Sequence, residues 1–181
     1  MEYSLCRDLK DFVVFDFETT GIGKTEKITE IGAVRYEHRE KVGEFSRLVN
    51  PGKPIAPFVQ ELTGITDAMV AGEPGIETLL PLFLDFAGDL PLIAHNAPFD
   101  CGFLFREAEA LGIGIKNEVV DTLRLARKAF PGLECYKLGY LTDYFCIAHD
   151  TAHRACSDAD ATAKLYLMMW TESPLDSPPS L

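Results

Sequence analysis

No stretch of the 181 residues approaches the ~18–20 consecutive apolar positions that a membrane-spanning helix needs, so no membrane span is expected. The opening residues, Met1-Glu2-Tyr3-Ser4, carry neither the basic nor the apolar region of a secretory signal. Cysteine is sparse: Cys6, Cys101, Cys135, Cys146 and Cys156 form an odd, scattered set without a C-x-x-C spacing. Such a set argues against a disulfide framework and against a zinc site, and places the expectation in a reducing cytoplasm. Basic residues are scarce too, with 17 Lys and Arg against 28 Asp and Glu for a net charge of −11. An acidic surface repels polyanions, which counts against a protein that coats nucleic acid by charge. It leaves room for an enzyme that grips one or two phosphates through bound cations.

What is present is most telling near the start. Phe12-Val13-Val14-Phe15-Asp16-Phe17-Glu18 reads as a buried strand, closed by Thr19-Thr20-Gly21. Side chains alternate faces along a strand, so Asp16 and Glu18 share one face while Phe15 and Phe17 take the other. Two ionised carboxylates at the end of a core strand repel each other and lose hydration. A cation or a strong donor must hold them there, and the pair points to a metal site. The ligands would be hard oxygens, suited to Mg²⁺ or Mn²⁺.

Patterning along the rest of the chain predicts two further strands, Ile28 to Tyr36 and Val42 to Val49, joined by the charged turn Glu37-His38-Arg39-Glu40. Pro51 to Gly75 is punctuated by Pro, Gly and Thr and should hold only short helical turns. Ile76 to Phe86 has helical apolar spacing. A short strand at residues 91–95 precedes a helix capped by Asn96 and running to Leu111. Val119-Val120 forms a fifth strand, followed by helices at Thr122 to Ala129, Leu138 to Phe145 and Ala155 to Trp170. Ala155, Ala159 and Ala163 recur every four positions, so that helix can lie close against a sheet. The expectation is one α/β domain, residues 1–172, with a mixed five-stranded sheet whose first three strands are antiparallel and with helices on both faces. The Pro/Ser-rich residues 173–181 read as a disordered tail.

Two more acids suit the site begun by Asp16 and Glu18. Asp100 falls in the first turn of a helix that directly follows a strand, where the helix N-terminus stabilises negative charge by ~0.3–1 kcal/mol. Asp158 borders the buried stripe of the last helix, whereas Asp160 points away from it. His153, in the connection just ahead, can swing over a neighbouring site and is a candidate general base. Among the other histidines, His95 reads as a satisfied strand-end residue and His38 and His149 as turn residues. Lys24, Lys27, Lys137 and Arg154 lie in or near these segments, either as phosphate contacts or as solvated surface charges, and Arg124, Arg127 and Lys128 read as an exposed helix face.

DFETTG (16–21), HNAPFD (95–100) and HRACSD (153–158) resemble, in order, spacing and flanking residues, the three motifs of the DEDDh, or DnaQ-like, 3′–5′ exonucleases. The resemblance runs from about Asp11 to Trp170. Glu61-Leu62-Thr63-Gly64-Ile65-Thr66-Asp67 and Tyr136-Lys137-Leu138 look most like the exonuclease region of PolC-type DNA polymerase III. The epsilon proofreading subunit more often has His-Gly-Ile-Thr where this chain has Thr63-Gly64-Ile65-Thr66.

The resemblance implies an RNase H-like fold and two divalent cations, Mg²⁺ or Mn²⁺. Carried over by position, Asp16 would bridge both cations, Glu18 and Asp158 would complete one site, and Asp100 would support the second, largely through water. His153 would be the base, and Thr19, Thr20, Leu62 and Thr63 would line the pocket of the terminal nucleotide. The implied activity is hydrolysis at single-stranded 3′ ends, DNA favoured, of the proofreading or repair type and releasing nucleoside 5′-monophosphates. Two alternatives are an RNA-trimming or oligoribonuclease-type exonuclease on the same fold and a non-catalytic polymerase-binding module. The PolC likeness leaves association with a DNA polymerase open, and oligomeric state with it.

Overall fold

Strand β1 (Phe12–Thr19) is the axis of the molecule because its apolar residues are needed on both faces of the sheet. The computed structural model describes residues 8–149 and 153–171; the predicted tail lies outside them. β1 pairs antiparallel with β2 (Ile28–Glu37), which pairs antiparallel with β3 (Glu40–Leu48). On its other side β1 runs parallel to the short β4 (Leu92–Ala94), itself parallel to β5 (Val119–Asp121), giving the order β3-β2-β1-β4-β5. This is the expected mixed sheet. The β2–β3 hairpin turns on His38 and Arg39, both at positive φ (53° and 67°), as a two-residue connection with the right twist demands.

The helices are α1 (Pro57–Thr63), α2 (Asp67–Val70), α3 (Ile76–Ala87), α4 (Ala97–Ala110), α5 (Thr122–Ala129), α6 (Leu138–Tyr144) and α7 (Ala155–Thr171). Val13, Phe15 and Phe17 face α3 and α4 in one core that includes Phe83 and Leu104. Phe12 and Val14 face the other way, into a core built by α5, α6 and α7 with Leu125, Leu141 and Tyr166. Helices therefore cover both faces, and α7 lies on the face that also carries Asp16 and Glu18. The segment between β3 and α3 holds only the two short helices over a small core of Ile55, Val59, Ile65 and Val70. Among the described residues, no helix is long and apolar enough to cross a membrane.

Asn96 does begin α4, but its side chain makes no capping bond, and it adopts a left-handed conformation (φ 61°, ψ 48°). Asp121, at the end of β5, does that work instead. Its Oδ1 accepts the N–H groups of Asn96 (3.0 Å) and Ala97 (3.3 Å), and also that of Leu123 (3.1 Å) at the start of α5.

Candidate active site

The site forms where β1 outruns its neighbour. β4 pairs with Val13 and Val14 and ends at Ala94, so the β1 groups beyond have no ladder partner on that side. The first turn of α4 fills the gap: the Phe17 N–H donates to Asp100 Oδ1 at 3.1 Å, and Asp100 is 2% exposed. A backbone donor left over by a short strand thus fixes one of the predicted carboxylates beside the other two.

Asp158 arrives from the opposite face. Asp16 pairs with Gly32 and Glu18 with Glu30 across the β1–β2 ladder, and directly opposed residues share a face. Gly32 lets α7 rest on the sheet. A Cβ there would stand 2.1 Å from the Ala155 carbonyl carbon and from the Cys156 nitrogen, both backbone atoms. The Ala155, Ala159 and Ala163 stripe is fully buried against the same face, as its spacing predicts. Glu30, 1% exposed, then fastens the helix start. It accepts the Ala155 N–H at 3.0 Å and holds the Arg154 guanidinium in a fork, Nη2 to Oε1 at 2.7 Å and Nε to Oε2 at 3.1 Å. One turn into α7, Asp158 faces the β1 acids.

His153 sits in a left-handed conformation (φ 62°) just ahead of α7 and is exposed. One donor atom each from Glu18, His153 and Asp158 lies within 4.8 Å of the others. The histidine ring thus stands beside two of the acids. His149 corrects the sequence reading: rather than a bystander in a turn, it is largely buried and its Nε2–H donates to Asp158 Oδ1 at 2.5 Å.

The electrostatics describe one crowded cluster. Burial, then the charges of Asp100, Asp158, Glu18 and Glu30, hold the Asp16 carboxyl well above the usual carboxylate range. Burial foremost, followed by Asp158, pushes Glu18 up to about 8. Burial also raises Asp100 to about 7, against the pull of the Phe17 N–H. Asp158 is raised by burial and lowered in part by His149. Four acids in this state repel one another, and hard divalent cations would let them ionise together. The donor set, carboxylate oxygens, fits such ions.

The remaining expectations divide. The Thr19 hydroxyl donates to the Gly21 carbonyl at 2.8 Å, and the Thr20 hydroxyl bonds Glu26 while accepting the Lys27 N–H, so both close the 19–27 loop. The Thr63 hydroxyl donates back to the Val59 carbonyl and accepts the Ile65 N–H, ending α1. Leu62 alone of the four offers an exposed side chain, at 56%. Arg154 and Lys27 are engaged by Glu30 and Glu107 rather than left as open phosphate contacts, whereas Lys24 and Lys137 are exposed. Arg124, Arg127 and Lys128 form the expected exposed face of α5. His95 is satisfied as foreseen: its Nε2–H donates to the Tyr136 carbonyl at 2.8 Å, and Nδ1 meets the Thr122 hydroxyl at 2.9 Å.

Sequence reasoning missed Glu30, Gly32 and Asp121. A glycine inside a strand marks close approach by another backbone, and that signal was available in Thr29-Glu30-Ile31-Gly32.

A family model described as an exonuclease matches residues 13–166. The chain belongs to the DnaQ-like exonuclease family. Over 160 residues this exonuclease is 44% identical to "DNA polymerase III PolC-type" of Caldanaerobacter subterraneus subsp. tengcongensis, a match covering 88% of the chain and 11% of that protein. It is 40% identical over 159 residues to "3′-5′ exonuclease DinG" of Bacillus subtilis, covering 86% of the chain and 17% of that protein. The exonuclease therefore spans only about a tenth to a sixth of these curated relatives. Among solved structures, "Exonuclease X in complex with 5′ overhanging duplex DNA" superimposes with a TM-score of 0.72 at 30% identity, covering 88% of this chain and 92% of that one. The three-motif resemblance holds at the level of family, and the sheet is that of the RNase H-like exonucleases.

Proposed function

We propose that this exonuclease hydrolyses phosphodiester bonds at single-stranded 3′ ends of DNA with two divalent cations, Mg²⁺ or Mn²⁺, releasing nucleoside 5′-monophosphates. One observation carries the reading. Asp16, Glu18, Asp100 and Asp158 converge from a strand and two helices at one end of the sheet, with His153 within reach of two of them.

When bound, the cations supply positive charge for the non-bridging and leaving oxygens and make a water more acidic. Asp16 feels the charge of all the other carboxylates and would contribute to holding both ions. Glu18 and Asp158 would hold one, and Asp100, fixed by the Phe17 N–H, would support the other. His153 takes the attacking water's proton at the ring nitrogen nearest Glu18 and Asp158. The water oxygen ends on the phosphorus of the released nucleotide. The P–O3′ bond breaks, and the 3′-oxygen of the shortened strand receives a proton.

The single-strand preference is supported by the groove beside Thr20, about 420 Å³ in volume. Its walls include Ile22 and Phe58, apolar side chains 91% and 70% exposed, which suit unstacked bases. The preference for DNA is supported by the names of the PolC-type relatives and by the DNA bound to Exonuclease X. The test is a gel of 5′-labelled single-stranded DNA and RNA oligomers with Mg²⁺, Mn²⁺ or chelator. A ladder shortening from the 3′ end of DNA, abolished by chelator, is expected. Cleavage that persists in chelator would overturn the cation reading, and faster loss of RNA would overturn the choice of DNA.

A further inference from the structure

His149 has no part in the proposed reaction, yet its ring is largely enclosed beside one of the acids. Its side chain is 10% exposed, on the stretch between α6 and α7. On one side Nε2–H donates to Asp158 Oδ1 at 2.5 Å. On the other, Nδ1 lies 3.5 Å from the hydroxyl oxygen of Thr142, a residue 1% exposed whose own hydroxyl donates to the Gly139 carbonyl at 2.9 Å. The ring is thus wedged between the body of α6 and one carboxylate.

Asp158 needs such a hold. Asp16, Glu18 and Asp100 all feel its negative charge, so with nothing to direct it the carboxylate would rotate away from its neighbours. The backbone N–H of His153 gives it one more bond, from a residue at the exposed rim. The two histidines are placed differently. His153 stands at the open side, against both Glu18 and Asp158, where a reacting water would sit. His149 stands behind Asp158, on the α6 side.

We propose that His149 is a positioning residue of the cation site: its bond to Oδ1 fixes the rotation of the Asp158 carboxylate and leaves the other oxygen to face the cation. Partners that orient metal ligands typically change metal affinity by about 10–100-fold when removed. The inference rests on the two-cation reading and sharpens it, because it gives the histidines separable effects. His149 governs how tightly the cation is held. His153 governs the rate once it is held.

The experiment is calorimetric titration of Mn²⁺ into the chelator-treated, dialysed chain, run on wild type, His149→Ala, His149→Asn and His153→Ala, with turnover measured across the same Mn²⁺ range. Mn²⁺ affinity should fall about 10–100-fold in His149→Ala and recover in part in His149→Asn, whose amide can still donate. Raising Mn²⁺ should bring His149→Ala turnover back to within several-fold of wild type while His153→Ala stays slow. His149→Phe fills the ring's space without a donor and replaces the alanine variant should that one fail to fold. Wild-type Mn²⁺ affinity in a folded His149→Ala or His149→Phe protein would overturn the role of His149 alone. A wild type that binds no Mn²⁺ would overturn the cation site itself.

Discussion

Replacing Gly32 by alanine adds one methyl group, yet it should disable the enzyme more than many changes nearer the acids. The added Cβ would meet the Ala155 carbonyl carbon and Cys156 nitrogen at 2.1 Å, and ordinary contact begins at 3.4 Å, so the start of α7 must retreat by roughly 1.3 Å (3.4 less 2.1). No rotamer change relieves the clash, because both atoms are backbone. Overpacking of this kind costs about 1–3 kcal/mol. The retreat also pulls at the Glu30 bonds to Arg154 and Ala155, and it carries Asp158 and His153 away from β1. A 1 Å misplacement of reacting groups can cost about 10²-fold in rate. Gly32→Ala should therefore show a lower melting temperature and at least that loss of turnover on a labelled oligonucleotide, with Mn²⁺ affinity reduced as well. Turnover within twofold of wild type would mean that α7 does not bear on the sheet at Gly32, and the account of how Asp158 is delivered would fail.

His153→Ala should lower turnover by about 10²–10⁴, the usual worth of a positioned base, at every cation concentration. Asp16→Asn should be more severe, since on the proposed two-cation reading it would weaken the hold on both; unchanged release of labelled mononucleotide by that variant would place the chemistry elsewhere. The carboxyl groups also predict how stability depends on pH. Burial holds Glu18 up at about 8 and Asp100 at about 7, above their ordinary values, so the cation-free native state keeps protons that the unfolded chain releases. Their destabilising effect is absent below the ordinary carboxylate range of about pH 4 and grows as pH rises toward 8. The melting temperature of chelated protein should fall by several degrees between pH 5 and 8, and Mn²⁺ should raise it more at pH 8 than at pH 5. Equal Mn²⁺ shifts at both pH values would refute the linkage.

The clustering of the acids was legible in the chain because the residues that carry it obey local rules. Alternation put Asp16 and Glu18 on one face, the four-residue alanine repeat announced that α7 would lie close to the sheet, and the strand-to-helix step placed Asp100 at a helix start. What escaped depends on partners remote in sequence. Arg154 read as a candidate phosphate contact because Glu30, 124 residues earlier, could not be seen beside it. Asn96 read as a helix cap because local rules favour it there, while the group that caps α4 comes from β5, 25 residues later. His149 looked idle because its use arises only when α6 and α7 fold against each other. The threonines following Glu18, which the resemblance assigns to the terminal nucleotide's pocket, also close the 19–27 loop through their hydroxyls, a use that the three motifs do not display.

Asp121 sets a lower bound on what could be transplanted. A single oxygen of that residue gathers the first N–H groups of α4 and one from α5, so Asp100 takes its coordinates from the far edge strand as much as from its own helix. A graft ending after α4 would contain three of the four acids and still lack the datum that locates one of them. The smallest portable version of this centre must run on through β5 and α5 before it even reaches the helix bearing Asp158.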